Sequence, residues 1–198
     1  MEAEANRFTR SEIERTLNVL RDALADGALI AAVESAGALC AQAIRAGNKI
    51  LFAGNGGSAA DAQHLAAELV GKLAYDRPAM PALSLTTDTS ILTAVGNDYG
   101  YEDVFVRQIG ALGVAGDILV GISTSGRSKN LVKAFTAARG RGLKLISMTG
   151  ATGGDLLALS DICMRIPSTD TQKIQEAHIV LGHIFCGLVE RAIHPRTH

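Results

Sequence analysis

Two side chains that can move protons lie one helical turn apart in the sequence. His64 and Glu68 are four positions apart, a spacing that places both on one face of a helix. An imidazole and a carboxylate so arranged can bind one metal ion or act together on one substrate. Such a pair is more often a surface pair. Its position directly after a glycine-rich turn favours the functional interpretation.

That glycine turn, Gly54-Asn55-Gly56-Gly57-Ser58, follows a short apolar run and precedes the helix of His64. Glycines let the backbone approach a ligand, and free amide groups at a helix N-terminus attract anions. An ordinary tight turn is one alternative. Another is a loose dinucleotide fingerprint, Gly54-x-Gly56-x-x-Ala59, of a nicotinamide-dependent oxidoreductase. The fingerprint lacks an acidic residue at the end of the next predicted strand, so this alternative has little support.

A second turn, Ser123-Thr124-Ser125-Gly126-Arg127-Ser128, also lies between an apolar run and a predicted helix. Its hydroxyl groups, with Ser128 at an N-cap position, offer several donors at the positive end of a helix. This composition predicts a phosphate cradle, although a capped helix start with incidental hydroxyls remains the alternative. The chain contains no GxxxxGK[ST] loop, and this segment does not form a GxSxG elbow. These absences argue against a nucleotide triphosphate loop and a serine hydrolase.

Two further clusters of polar residues could be either structural or functional. Gln175, Glu176, His178 and His183 lie in a largely apolar C-terminal segment, where a histidine is often a core residue. Gln175 and His183 are eight residues apart, a rise of about 12 Å along a helix. Both reach one site only if the site crosses a subunit interface or begins where the helix is still unwound. Asn97-Asp98 joins two predicted helical segments, either as a cap and turn or as a group that binds sugar hydroxyls.

The elements that must position these groups alternate along the chain. The first 46 residues read as two helices with a break at Asp26-Gly27. Five apolar runs then follow: KILFA, PALSL, DILVGIS, KLISMTG and ICMRIP. Helices are predicted between and after them at residues 58–72, within 89–95, at 101–112 and 128–139, briefly after the fourth run, and at 171–192. Continuously apolar strands alternating with helices predict an α/β three-layer sandwich with a five-stranded parallel sheet, whose ligand binds at the carboxyl ends of the strands.

The length and composition of the chain exclude several classes of protein. A length of 198 residues predicts one domain, with residues 1–46 as a helical extension. A net charge of −1 gives no electrostatic footprint for nucleic acid. Three widely spaced cysteines, Cys40, Cys163 and Cys186, predict reduced thiols and not a disulfide framework. The N-terminus is polar, and no run reaches the roughly 18 uninterrupted apolar residues of a membrane span. A cytoplasmic protein without membrane contact is expected.

Taken together, four segments resemble the phosphoheptose isomerases, a family in the sugar isomerase (SIS) domain superfamily. They are GNGGSAADAQHLAAEL, SLTTDTSILTAVGNDYGYEDVF, GISTSGRSKN and KIQEAHIVLGHI, and the likeness covers nearly the whole chain. The resemblance implies a flavodoxin-like homotetramer with active sites at subunit interfaces, to which residues 1–46 contribute. It also implies isomerisation of D-sedoheptulose 7-phosphate to D-glycero-D-manno-heptose 7-phosphate, the first step of nucleotide-activated heptose synthesis for lipopolysaccharide or capsule.

The resemblance also implies roles for individual residues. Substrate contacts are expected at Asn55, Gly56, Gly57, Glu68, Asn97, Asp98 and Gln175, and phosphate contacts at Ser123, Thr124, Ser125 and Ser128. One zinc ion per subunit is expected on His64, Glu68, Gln175 and His183. Glu68 is the candidate base, and His183 is the candidate proton carrier, because imidazole exchanges protons near neutral pH. Lys72 and Gln172 depart from the arginine and aspartate found in some relatives.

A competing interpretation is a non-catalytic protein of the same fold that binds the bacterial replication initiator. The presence of all four residues of the expected zinc set favours the enzyme.

Overall fold

The central layer is a five-stranded, all-parallel sheet in the computed structural model, which describes residues 2–196. Its strands are β1 Ile50–Gly54, β2 Ala82–Ser84, β3 Ile118–Ile122, β4 Lys144–Thr149 and β5 Ile162–Arg165, in the spatial order β2-β1-β3-β4-β5. Every residue of β1 and β3 is buried, as continuously apolar runs predict. The predicted fold class is confirmed.

Eight α-helices are described in residues 2–196. They are α1 Glu2–Ala25, α2 Gly27–Arg45, α3 Gly57–Val70, α4 Thr89–Asp98, α5 Val104–Leu112, α6 Lys129–Gly140, α7 Leu156–Leu159 and α8 Thr171–Ile193, with a 3₁₀ turn at Tyr101–Asp103. The prediction that Asn97 and Asp98 join two helical segments is wrong, because both lie in the last turn of α4. The helix ends where Tyr99 N donates to Val95 O and Gly100 adopts a φ of +96°.

Two hydrophobic cores lie on opposite faces of the sheet. Successive residues of a strand point to opposite faces, so Phe52 of β1 packs with α2, α3 and α8, whereas Leu51 packs with α5, α6 and α7. Val120 and Leu119 of β3 divide in the same way. The chain is therefore a three-layer sandwich.

No uninterrupted apolar run as long as a membrane span was expected, and in α2 Glu34 and Gln42 interrupt the apolar run. By length and composition alone this helix is long and apolar enough to cross a membrane, with a mean hydropathy of 1.5. Its residues Leu29, Val33 and Cys40 are buried in the core shared with the sheet, and it packs on α8 and β5. A core helix passes the same test, so this one helix is weak evidence for membrane insertion.

Helices α3 and α8 lie side by side, and their packing positions the candidate site. Gly182 of α8 meets Leu65 of α3 closely: a Cβ on Gly182 would lie 2.7 Å from Leu65 Cδ2. A glycine here lets the two helix backbones approach each other. Near their N-termini the same helices meet at Gly57 and Gln175. The two helices therefore run parallel.

Candidate functional site

The glycine turn and the serine turn begin side by side at the carboxyl edge of the sheet. Gly54 of β1 is paired in register with Ile122 of β3, so residues 54–58 and 123–128 leave the sheet from neighbouring positions. In the strand order β2-β1-β3-β4-β5, the connections proceed in opposite directions from β1 and β3. A crevice at such a switch point is the usual ligand site of an open α/β sheet.

An amide pair joins the two turns. Asn55 Nδ2 donates to Asn130 Oδ1 at 3.0 Å, and Asn130 Nδ2 donates to Asn55 Oδ1 at 2.8 Å. Leu131 N also donates to Asn130 Oδ1, which assigns the oxygen of that amide, and Tyr101 Oη donates to Asn55 Oδ1 at 3.0 Å. One Nδ2 hydrogen of Asn55 is left for a ligand.

Asn130 and Tyr101 were not identified from the sequence. The available signal for Asn130 was an amide in the first turn of the helix that follows the serine turn. Nothing in the sequence indicated which residue it would meet, since Asn55 lies 75 positions earlier.

Hydroxyl groups gather within the serine turn. Ser123 Oγ and Ser128 Oγ are 3.0 Å apart, and Gly126 N donates to Ser123 Oγ while Arg127 N donates to Ser125 Oγ. Ser128 occupies the N-cap position of α6 as predicted, but its side chain makes no capping bond. Beside the turn is a pocket of about 210 Å³. It is lined by Thr124, Ser125, Arg127, Gly150, Ala151, Thr152, Ser168, Thr169, Thr171 and Ile174.

Gly126 has a structural reason to be glycine. Its φ is +65°, and a Cβ at this position would collide with the carbonyl group of Gly153. The tight turn that brings Ser123 and Ser128 together therefore requires a residue without a side chain.

An imidazole and carboxylate cluster lies between α3 and α8. His64 Nε2 is 3.1 Å from Glu68 Oε1 and 2.8 Å from His183 Nε2, and the ligand atoms of the three residues all lie within 4.8 Å of one another. The imidazole rings meet edge to face. Two ring nitrogens this close share a proton or bind a common cation. Two nitrogens and a carboxylate oxygen form a donor set that suits zinc, so the residues present fit the expected ion.

Gln175 lies away from this cluster within the same chain. A Cβ on Gly57 would lie 2.9 Å from Gln175 Nε2, so this amide is beside the start of α3. Gly57 precedes His64 by seven residues, about 10 Å along a helix. The alternative of an unwound helix at Gln175 is wrong, because α8 begins at Thr171, where Asp170 Oδ1 accepts from Gln172 N. A site shared between subunits stays a prediction.

The other titratable groups of the two helices are distinguished by burial. His178 is only 1 % exposed, its Nε2 donates to Thr149 O, and burial lowers its pKa to about 4. It is therefore a neutral core residue at the end of β4 and not a member of the cluster. Burial also raises the pKa of Asp61, and the nearby His64 opposes this effect. Asp61 Oδ2 has no hydrogen-bond partner among residues 2–196.

Asn97 and Asp98 are exposed at the end of α4. Asn97 Nδ2 donates to Asp98 Oδ1 at 2.7 Å. Within the described part of the chain neither side chain bonds to the glycine or serine turn, but Tyr101, which follows closely, reaches Asn55. Their expected contact with substrate stays a prediction.

Comparisons with known proteins agree on one family. The SIS domain family model matches residues 10–150. The chain is 52 % identical to a phosphoheptose isomerase of Aneurinibacillus thermoaerophilus over 188 residues, which cover 95 % of each protein. It is also 52 % identical to one of Burkholderia pseudomallei (strain 1710b), over 94 % of each.

Two solved structures extend the comparison to three dimensions. A phosphoheptose isomerase from Neisseria gonorrhoeae superimposes with a TM-score of 0.88 at 41 % identity, and one from Francisella tularensis with a TM-score of 0.90 at 34 % identity. Each match covers 94 % of this chain and 98 % of the other.

Proposed function

The chain belongs to the phosphoheptose isomerases of the SIS-domain family, and we propose that it converts D-sedoheptulose 7-phosphate to D-glycero-D-manno-heptose 7-phosphate in heptose biosynthesis. The observation that carries this proposal is the convergence of His64, Glu68 and His183 between α3 and α8. An aldose–ketose isomerisation needs such groups, because a proton must move between adjacent carbons and another between adjacent oxygens.

In the proposed mechanism Glu68 is the base. Its carboxylate removes the proton from the carbon next to the ketose carbonyl, and the carbonyl oxygen gains a proton, which forms an enediol. His183 carries the proton between the two oxygens, and Glu68 returns its proton to the former carbonyl carbon. Atoms and charge balance without a co-reactant, because Glu68 and His183 each return the proton that they take.

The two turns hold the substrate in this proposal. The hydroxyl and amide groups of Ser123, Thr124, Ser125 and Ser128 bind the phosphate. Asn55 offers its free Nδ2 hydrogen to a sugar oxygen, with the backbone of Gly56 and Gly57 beside it. The adjacent start of these turns supports the assignment. Asn97, Asp98 and Gln175 are proposed as further contacts to the sugar.

A zinc ion, one per subunit, would be held by His64, Glu68 and His183, with Gln175 as the fourth proposed ligand. When bound it supplies a positive charge that polarises a carbonyl group. A carboxylate bound to a cation is a weaker base. The two proposed roles of Glu68 therefore compete, and its contact with the ion has to loosen when Glu68 accepts a proton. Elemental analysis of the purified protein, with turnover before and after chelation, tests the metal.

We further propose a cytoplasmic homotetramer with active sites at its subunit interfaces. Large apolar side chains of α1 support a partner surface, because Phe8, Ile13, Leu17 and Leu24 are between 43 % and 78 % exposed in the single chain. Water contact of this extent is unfavourable unless another surface covers it. The near-neutral net charge supports the absence of a nucleic-acid partner.

Substitution of the acid–base pair tests the function. Glu68→Gln and His183→Gln should fold and bind sedoheptulose 7-phosphate, yet each should lose about 10²- to 10⁴-fold in kcat, because general acid–base groups contribute this much. His194→Gln is a matched control outside the cluster and should retain turnover. Near-normal turnover of both cluster variants would refute the assignment.

The same assay separates the alternatives. A replication-initiator-binding protein of this fold would show no turnover and would retain initiator protein in a pull-down. This alternative is not favoured, because the chain matches phosphoheptose isomerases at high identity over nearly its full length. A nicotinamide-dependent oxidoreductase would bind NAD.

A further inference from the structure

A buried ion pair joins the segment that follows α3 to α8, on the C-terminal side of the cluster of His64, Glu68 and His183. Arg77 Nε donates to Glu190 Oε1 at 3.1 Å, and the two side chains are only 2 % and 1 % exposed. Glu190 is on α8, seven residues or about two turns beyond His183. Neither residue has a role in the mechanism described above.

Arg77 covers the carboxyl end of α3. Its guanidinium donates to the carbonyl oxygens of Glu68 and Leu69, each at 2.7 Å, and of Gly71 at 2.9 Å. The last carbonyl groups of a helix have no partner within the helix. A planar guanidinium can serve several of them at once, whereas a lysine ammonium is a single point charge. One of these carbonyls belongs to the proposed base.

Glu190 binds the segment that leaves α3. Its Oε1 accepts from Leu73 N and its Oε2 accepts from Ala74 N, both at 3.1 Å. A single carboxylate on α8 therefore holds the backbone after α3 and, through Arg77, the last turn of α3 itself. This arrangement holds the C-terminal end of α3 at a fixed position along the neighbouring helix α8.

We propose that Arg77 and Glu190 are positioning residues that fix α3 against α8 and thereby set the placement of Glu68 and His64 relative to His183. This inference rests on the proposed function. The cluster is divided between the two helices, so a slide of α3 along α8 changes the separation of its atoms. The serine turn lies after β3 and does not depend on this ion pair.

Arg77→Lys tests the inference by a split between kinetic constants. A misplacement of about 1 Å can lower the rate about 100-fold, so kcat should fall by about 10- to 100-fold while KM stays within about twofold. Zinc affinity, measured on metal-free protein against a chromophoric chelator, should fall by about tenfold, because changing a group that orients a metal-binding residue has an effect of this size. Glu190→Gln should act in the same direction and less strongly, because Arg77 keeps its carbonyl contacts.

Asp117→Asn is the control for a loss of stability alone. Asp117 is fully buried, pairs with Lys49 at 2.6 Å, and accepts from Lys49 N and Val114 N at the amino edge of the sheet. This variant should be less stable with unchanged kcat and zinc affinity at temperatures where it is folded. A fall in kcat equal to that of Arg77→Lys at matched stability would overturn the inference.

The outcomes also separate the inference from the proposed function. If Glu68→Gln loses turnover but folded Arg77→Lys keeps kcat and zinc affinity within twofold of wild type, the inference alone fails. If the wild-type protein does not isomerise sedoheptulose 7-phosphate, the proposed function fails, whereas turnover retained by Glu68→Gln refutes only the assignment of the base. If Arg77→Lys does not fold, the same criteria applied to Glu190→Gln decide the question.

Discussion

At the scale of single residues, the two histidines of α8 differ in their surroundings. His183 is exposed and faces His64, whereas His178 is enclosed by the core and donates to the carbonyl oxygen at the end of β4. They are five positions apart, so they lie on different parts of the helix surface. His183 is accessible to a ligand, whereas His178 stays neutral because a charge there would be desolvated.

Because His178 is buried, we expect the free energy of unfolding to fall at acidic pH. Its pKa is about 4 in the folded protein against an ordinary value of 6.5. Between these values the unfolded chain binds a proton that the folded chain does not, so stability is full above pH 6.5 and falls as the pH is lowered towards 4. At 1.36 kcal/mol per pKa unit, the loss is on the order of 3 kcal/mol.

His178→Gln should remove this dependence while keeping a donor for Thr149 O. Urea unfolding between pH 7.5 and 4.5 measures this dependence. Below pH 6.5 the unfolding free energy of the wild type should fall steadily relative to that of the variant. Parallel curves for the two proteins over that range would contradict the prediction.

At the scale of elements, the contact between α3 and α8 determines whether the cluster forms. Leu65 is fully buried where it meets Gly182, directly beside His183. Close packing leaves little room for Leu65 to move. The spacing of the two helices is thus set next to the residues that must meet.

Gly182→Ala should separate the helices. The added Cβ would lie 2.7 Å from Leu65 Cδ2. Overpacking of this kind typically lowers the unfolding free energy by about 1–3 kcal/mol, and kcat should fall because His183 moves away from His64. Chemical denaturation and steady-state turnover measure the two effects.

Gly110→Ala in α5 is the matched control. No atom lies within 4 Å of the added Cβ. Alanine is favoured over glycine in a helix interior by about 1 kcal/mol, so stability should be unchanged or slightly raised, with wild-type kcat. The prediction for Gly182 is wrong if its alanine variant matches this control in both measurements.

At the scale of the whole molecule, Gln175 raises the question of which subunit completes each site. Within one chain it lies beside Gly57, about 10 Å along α3 from His64. If the assembly shares its sites, the Gln175 of one subunit serves the cluster of another.

Mixing two inactive variants tests a shared site. Glu68→Gln and Gln175→Ala proteins, unfolded together and refolded as mixed oligomers, should regain a part of wild-type turnover. In a shared site, Glu68 of one subunit and Gln175 of the other can both be intact. Each variant refolded alone is the control. Mixed oligomers that stay as inactive as the separate variants would show that both residues act within one chain.

The sequence alone determined the fold class and most of the chemistry-bearing groups. Continuously apolar strands, a glycine turn and a serine turn are local patterns, and local patterns are readable because backbone geometry and burial act over a few residues. Helix spacing likewise paired His64 with Glu68, since that contact lies within one element. The end of α4 was misread because Gly100, and not the polar pair before it, terminates the helix.

Only the tertiary structure decided which distant residues meet. Asn55 with Asn130 and Arg77 with Glu190 are contacts across 75 and 113 positions of sequence, and His64 with His183, across 119 positions, was expected only from the family resemblance. Their geometry depends on how closely α3 packs on α8 and on the order of β1 and β3 in the sheet. Those quantities arise from the packing of the whole core, which no short sequence pattern encodes.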